Sequence, residues 1–321
     1  MINFTKEIKK MIKTATSIAV FTHITPDCDA LGSSLTLKEG LTALGKKVTF
    51  FAKDKLTKNQ SLVFNSPDIS NKDCDFSAYD LCISVDASSF ERLGEYAEGF
   101  KNHQNTIVFD HHKGNSLTGS IIYALPEYSS CCEIILQFLD FLKVKITPRM
   151  ASMLYSGLSA DTNSFINTNV TCETFENALR LVRLGADVNK VNQLQYKNRT
   201  KVEVACKRYL WTNIKFKKDI AYCAVSNDDL KKLKATKNDC DSFSNDLLGI
   251  DGINYGFSLI EEEKGKINLS MRSKEGYDVQ KVASLLGGGG HVCAAGAKIW
   301  NNSLPQAKNK VLELIEETRT K

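Results

Sequence analysis

No cysteine pair in this 321-residue chain has C-x-x-C spacing, although ten cysteines are present and two of them, Cys131 and Cys132, are adjacent. Scattered thiols argue against a disulfide framework or a thiolate zinc site, and for reduced, mostly buried side chains in a cytosolic protein. No apolar run approaches the ~18 residues needed to cross a bilayer, so no membrane partner is expected. The N-terminus, MINFTKEIKKMIKTATS, is amphipathic and charged and lacks the apolar block and cleavage site of a signal peptide. A cytoplasmic location is therefore expected. Strong charge bias is missing as well: 42 Lys and Arg against 37 Asp and Glu leave a net +5. That surplus is compatible with an anionic substrate and falls far short of the signature of a duplex-DNA binder. Internal repeats and low-complexity segments are absent. Histidine is scarce, with five in the whole chain.

Hydrophobic residues make up 42% of the chain, enough for a substantial core, and the length suggests two domains. In the first half, strand-like runs alternate with helical patterns. SIAVFTH (17–23), KVTFFA (47–52), YDLCISVD (79–86) and TIVFD (106–110) read as buried strands, and a helix is expected from about Asp29 to Leu44. From 129 to 184 the pattern is helical, and Ser130 with Glu133 predicts a capping box. This alternation predicts an α/β fold, an open and mainly parallel sheet flanked by helices. Residues 187–202, DVNKVNQLQYKNRTKV, are polar and carry no strand signal, which suggests a connecting helix or linker. Beyond them DIAYCAVS, GINYGFSLIEEE and KINLSMRS suggest a second sheet. DVQKVASLL reads as a helix capped by Asp278 and ended by Gly287 to Gly290. The expected division is 1–186, a linker at 187–202, and a smaller α/β domain with a mixed sheet at 203–321.

The polar residues that end the strands carry the chemistry. The first strand runs into HITPDCDA, with His23, Asp27 and Asp29; the third ends at Asp86 and the fourth at Asp110, His111 and His112. Asp161 closes the helical run MASMLYSGLSADTNSF. In open α/β sheets ligands bind beyond the carboxyl ends of the strands, so four segments deliver carboxylates and imidazoles to one edge. So many carboxylates repel one another unless cations join them, and hard carboxylates with a few imidazoles suit Mn²⁺ or Mg²⁺. Taken singly, Asp29 reads equally well as a helix N-cap, and Asp86 and Asp161 as loop or cap residues. Jointly that bland explanation fails, because four of the five histidines fall in such motifs. His103, in FKNHQN, reads as a surface loop residue. In the second half GGGGHVCAAG (287–296) could cradle a phosphate with backbone amides and His291, or be a flexible turn. Arg272, on an expected strand, could grip a phosphate bidentately or be a solvated edge residue.

Together HITPDCDALGS, Asp86, DHH and ADTNSF resemble, in order and spacing, the DHH phosphoesterase superfamily. MRSKEGYDVQKVASLLGGGGHVCAAG resembles the signature of its branch with a C-terminal DHHA1 domain. The likeness spans nearly the whole chain and is nearest to the stand-alone nano-RNase and pAp phosphatase type. It implies a DHH domain and a DHHA1 domain with the active site in the cleft between them. It implies two Mn²⁺, with Mg²⁺ as a substitute: His23, Asp27 and Asp86 on one ion, and Asp29, Asp86, His111 and Asp161 on the other, Asp86 bridging. Asp110 would orient the imidazoles and His112 would assist the leaving group, while Arg272 with Gly288, Gly289, Gly290 and His291 would hold the substrate. Asn163-Ser164 departs from the Gly-Arg of many relatives, which bears on a phosphate contact from that loop and not on the metals.

The resulting expectation is hydrolysis of short single-stranded RNA to mononucleotides, and of 3′-phosphoadenosine 5′-phosphate (pAp) to AMP, by two-metal activation of a bridging hydroxide. A phosphodiesterase for cyclic or linear dinucleotides is the alternative. A nucleotide-sensing module without activity is the reading from another class, and it would be marked by a missing ligand; all six are present. A homodimer is compatible with the sequence.

Overall fold

The computed structural model describes residues 2–65, 68–240 and 242–319. The chain divides into two compact units, Met1–Asn198 and Arg199–Lys321. The boundary falls within the polar stretch expected to connect two domains.

Among the described residues the first unit holds six strands: β1 (Ser17–Phe21), β2 (Lys47–Phe51), β3 (Ile69–Ser70), β4 (Leu81–Val85), β5 (Thr106–Asp110) and β6 (Ile121–Ala124). They form one sheet in the order β3-β2-β1-β4-β5-β6, with every pairing parallel. Strands β4 and β5 are buried at all five positions, as continuous apolar runs covered on both faces require. The helices are α1 (Lys6–Thr14), α2 (Cys28–Ala43), α3 (Lys58–Phe64), α4 (Ala97–Asn102), α5 (Cys131–Phe141), α6 (Pro148–Asp161), α7 (Cys172–Arg183) and α8 (Val188–Asn192). One face of the sheet packs on α1, α2, α5 and α6 through a large aliphatic core that includes Ile18, Val20, Leu31, Ile83, Ile135 and Leu154. The other face carries an aromatic cluster of Phe21, Phe51, Phe76, Tyr96 and Phe100.

Register places the site. Phe21 pairs with Ser84, and Val85 with Phe109. Counting on from these partners puts His23, Asp86 and Asp110 in one row at the strand ends, Asp110 as the last residue of β5. Residues 188–197, within the stretch 187–202 expected to connect the domains, are helical: α8, capped by Asp187, is followed by a π-helical turn at Gln193–Lys197 that belongs to the first unit.

The second unit contains α9 (Lys201–Asn213), β7 (Lys215–Lys217), β8 (Ile220–Val225), α10 (Asn227–Leu233), α11 (Phe243–Leu248), β9 (Tyr255–Glu263) and β10 (Lys266–Ser273). It continues with α12 (Val279–Leu285), β11 (Gly289–His291), β12 (Ala294–Trp300) and α13 (Leu304–Thr318). Its sheet, β11-β12-β10-β9-β8-β7, is mixed: β8 and β9 are parallel and the other pairs antiparallel. Two cores flank it, one with α12 and α13 and the other with α9, α10 and α11.

Candidate metal centre

The loop after β1 is held from several sides. The Ile24 amide donates to the Arg92 carbonyl at 2.8 Å, and the Thr25 amide to Asp54 Oδ2 at 2.6 Å. Gln60, at the start of α3, donates through Nε2 to the Pro26 carbonyl at 2.8 Å. Asp27 is the N-cap of α2: its Oδ1 accepts from the amides of Asp29 and Ala30 at 2.9 and 3.0 Å, leaving Oδ2 toward His23.

Asp29, fully buried, caps a different helix. Its Oδ2 accepts from the Cys131 amide at 2.6 Å and its Oδ1 from the Cys132 amide at 2.9 Å, at the N-terminus of α5. This corrects the expected capping box. Ser130 makes no capping bond, and its hydroxyl is buried without a partner among the described residues. Glu133 instead accepts from the Ser129 amide at 2.8 Å and from Asn177 at 2.9 Å. Carboxylates favour helix N-termini because the first amides there have no partner in the helix. Close approach of α2, α5 and α6 depends on Gly157, where an added Cβ would lie 2.4 Å from Cys132 Sγ and 2.8 Å from Asp29 Oδ1.

Asp86, 2% exposed, leaves β4 with φ +59°, and its amide donates to the Phe109 carbonyl at 2.8 Å. The left-handed conformation is one that Asp and Asn tolerate better than most residues. It turns the carboxylate between two histidines: Oδ2 lies 3.7 Å from His23 Nε2 and Oδ1 3.5 Å from His111 Nε2. His111 Nε2 is also 2.9 Å from Asp161 Oδ2 and 3.7 Å from Asp29 Oδ2. His112 Nδ1 lies 2.7 Å from Asp110 Oδ1 and 3.6 Å from Asp86 Oδ1. Asp161, the last residue of α6, precedes three successive residues with positive φ, Asn163, Ser164 and Phe165. The side chains of Asn167 and Asn169 donate back to the Asp161 carbonyl at 3.1 and 3.3 Å.

Three sets of donor atoms converge within 4.8 Å: His23, Asp27 and Asp86; Asp29, His111 and Asp161; Asp86, His111 and His112. The shared members join them into one centre. Asp86 Oδ1 and His111 Nε2 are buried, and neither makes a hydrogen bond of good geometry among the described residues, which leaves both atoms suited to a cation. Two ligands each about 2.1–2.2 Å from one ion sit about 3.0–3.6 Å apart at octahedral to tetrahedral angles. The separations of 3.5–3.7 Å around His23, Asp86 and His111 lie at or just above the upper end of that range and are long for hydrogen bonds. The residues therefore fit divalent cations.

Electrostatics agree. Burial, then repulsion from Asp29, Asp27, Asp161 and Asp110, pushes the Asp86 carboxyl well above the usual range. Burial and Asp161 push Asp29 up to about 7. Burial opposes the charge on His111, but the Asp161 carboxylate outweighs it and raises the imidazole to about 10. Burial likewise works against Asp27 and Asp110, yet His23 and His112 respectively hold them below the normal range. Without cations the cluster neutralises itself with protons.

The fifth histidine, His103, precedes β5 at the other end of the sheet, half-buried, its ring nitrogens 2.8 and 2.9 Å from the carbonyls of Asn105 and Tyr79. In the second unit, Arg272 on β10 and His291 on β11 both pair with Ala294 of β12, so the sheet aligns them in one row. Strand β10 is interior, not an edge. The run expected as a loop is partly strand: Gly289, Gly290 and His291 form β11, and a Cβ at Gly290 (φ +142°) would meet the Ala294 carbonyl oxygen at 2.4 Å. Missed from sequence were the α5 amides, the loop anchors Asp54 and Gln60, and Asn115, whose Nδ2 donates to Asp110 Oδ2 at 2.6 Å. None carries a local signal, because each acts through a partner remote in the chain or across a turn.

Comparison with known proteins agrees with this architecture. Residues 17–158 match the N-terminal domain of the DHH family and residues 218–319 the DHHA1 domain. The chain is 30% identical over 297 residues to the bifunctional oligoribonuclease and PAP phosphatase NrnA of Mycoplasma genitalium, covering 90% of this chain and 91% of that protein. It is 27% identical over 306 residues to the protein of the same name from Thermus thermophilus, covering 95% and 90%. The fold of an exopolyphosphatase-related protein from Bacteroides fragilis superposes with a TM-score of 0.92 at 23% identity, covering 98% and 96%. Among the described residues no helix is long and apolar enough to cross a membrane. The chain belongs to the DHH phosphoesterase family, in the branch that carries a DHHA1 domain.

Proposed function

We propose that this protein is a manganese-dependent phosphoesterase that hydrolyses short oligoribonucleotides to mononucleotides and dephosphorylates pAp. The observation that carries this reading is the buried Asp86 carboxylate, set between His23 and His111 with one oxygen toward each. Full-length similarity to proteins named oligoribonuclease and PAP phosphatase supports the choice of substrate class.

In this reading His23, Asp27 and Asp86 hold one ion, and Asp29, His111 and Asp161, with Asp86 shared, hold the second. When bound, Mn²⁺, or Mg²⁺ in its place, supplies the Lewis acidity that lowers the pKa of water and neutralises charge on phosphate. The chain's own residues do the rest. The α5 amides aim Asp29 and favour its charged form against the burial and the Asp161 charge that raise its pKa. Asp110 accepts a hydrogen bond from His112 Nδ1, which fixes the orientation of the ring that serves the leaving oxygen. Arg272 and the strand Gly289–His291, with Gly288 before it, bind phosphate and sugar from the DHHA1 domain.

The test is a turnover panel with and without Mn²⁺, over pAp, two-nucleotide RNA, and linear and cyclic dinucleotides, with products separated by chromatography. EDTA should abolish turnover and Mn²⁺ restore it, with pAp and two-nucleotide RNA the preferred substrates. Full activity of metal-free protein, or preference for a cyclic dinucleotide, would refute the reading.

A further inference from the structure

Asn115 uses every hydrogen-bonding group of its side-chain amide. Its Nδ2 donates to Asp110 Oδ2 at 2.6 Å and to the Ala87 carbonyl at 3.2 Å, and its Oδ1 accepts from the Leu117 amide at 3.0 Å. These partners settle the amide's orientation, because a flip would set Oδ1 against a carboxylate and a carbonyl, and an N–H against the Leu117 N–H. The other oxygen of Asp110 lies 2.7 Å from His112 Nδ1, and the Asp110 side chain is fully buried. Asn115, Asp110 and His112 therefore form a continuous chain that runs from the turn after β5 to the metal centre.

We propose that Asn115 is a positioning residue for His112. By occupying Oδ2 it stops the Asp110 carboxylate from rotating, so Oδ1 stays on Nδ1–H and Nε2 stays directed at the leaving oxygen. This role rests on the phosphoesterase reading above. The same amide makes a second hold. Ala87 follows Asp86 directly, and the Ser116 amide donates to the Ser88 carbonyl at 2.8 Å. The loop after β5 is thus stitched to the loop after β4, which keeps His112 Nδ1 3.6 Å from Asp86 Oδ1. In the reaction, water forms the new bond to phosphorus and gives up a proton to solvent, from which His112 is later reprotonated. The bond from phosphorus to the leaving oxygen breaks, and that oxygen takes a proton from Nε2. A ribose alkoxide needs this proton, whereas 4-nitrophenolate leaves without it.

The difference supplies the test. Asn115→Ala should lower kcat on two-nucleotide RNA by about 10–100-fold, the usual cost of removing a residue that orients a catalytic group's partner. KM should move less than about threefold, since Asn115 does not meet substrate. Asn115→Asp keeps the shape but sets an acceptor against Asp110, so it should cost at least as much; it also serves if the alanine variant folds poorly. On bis(4-nitrophenyl) phosphate both variants should retain activity within about threefold of wild type. Their melting-temperature rise on adding Mn²⁺ should match the wild type's. Equal losses on both substrates, or wild-type kcat on RNA in Asn115→Asp, would overturn the role. Failure of the underlying reading looks different: the unmodified protein would then show no Mn²⁺-dependent turnover of either substrate.

Discussion

Asp86→Asn separates stability from cation binding at the centre of the site. Asparagine preserves the shape of the side chain and tolerates the left-handed backbone that Asp86 adopts, at φ +59°. Alanine would add backbone strain and a cavity. In metal-free protein the Asp86 carboxyl is pushed well above its usual range by burial and by four neighbouring carboxylates. A carboxyl whose folded pKa lies above its unfolded one stabilises fully below about pH 4, and that contribution is lost as pH rises through the folded pKa. Near neutral pH the native acid is therefore a burden that a neutral amide removes. The metal-free variant should melt at or above the wild-type temperature.

With cation the order should reverse. A unit negative charge about 4 Å from a doubly charged ion contributes about 8 kcal/mol at an effective dielectric of 20. If desolvation leaves a quarter of it, affinity falls about 30-fold. At a Mn²⁺ concentration of about 100 Kd, the wild type gains about 2.7 kcal/mol and the variant about 0.9 kcal/mol. For a folding unit of about 200 residues that is a melting-temperature rise of about 5–10 °C against about 2–4 °C. Scanning fluorimetry of both proteins, in EDTA and across a Mn²⁺ titration, measures each quantity. An Asp86→Asn protein that melts well below wild type in EDTA, or keeps the full Mn²⁺-induced rise, would refute this role of Asp86.

Mn²⁺ affinity should weaken with acid. Asp29, pushed up to about 7, and Asp86, raised further from its ordinary value, must lose protons to bind a cation. Calorimetry in buffers of different ionisation enthalpy should show proton release and a Kd that rises by up to about tenfold for each proton and pH unit below about pH 7; a Kd flat between about pH 6 and about pH 8 would contradict this. Gly157→Ala would press a methyl group onto Cys132 Sγ and Asp29. It should cost about 1–3 kcal/mol of stability by overpacking and reduce Mn²⁺-dependent turnover further; unchanged melting and activity would show that α2 and α6 yield freely. Arg272→Ala should raise KM on two-nucleotide RNA while leaving the Mn²⁺-induced melting shift intact, because Arg272 lies in the second unit and not among the converging donors. Initial rates of wild type on a 5′-labelled RNA ladder should fall steeply from two nucleotides to about ten. Equal rates for short and long RNA would indicate an open groove.

Much of this site is legible in the amino-acid sequence, because strand ends are local features. The apolar runs SIAVF, LCISV and TIVFD stop where the polarity changes, and a parallel sheet places all such ends on one edge. His23, Asp86, Asp110, His111 and His112 follow from that alone, and the motif order extends the set to Asp27, Asp29 and Asp161. Short edge strands such as Ile69–Ser70 and Ile121–Ala124 leave no such mark, since they hold too few residues to show a period.

What only the tertiary structure decided is which polar group meets which. Ser130 has the sequence of a helix cap and does not act as one, because Asp29 arrives from 102 and 103 residues away in the chain and takes the α5 amides first. Asn115 looks like a turn residue, yet it anchors the Asp110 carboxylate and the loop beside Asp86. The left-handed turn at Asp86 aims one carboxylate at two histidines that lie 63 positions before and 25 positions after it. A strand's end is written in its own few residues. Hydrogen bonds and charge between remote segments depend on sheet order and helix approach, which the whole core sets at once.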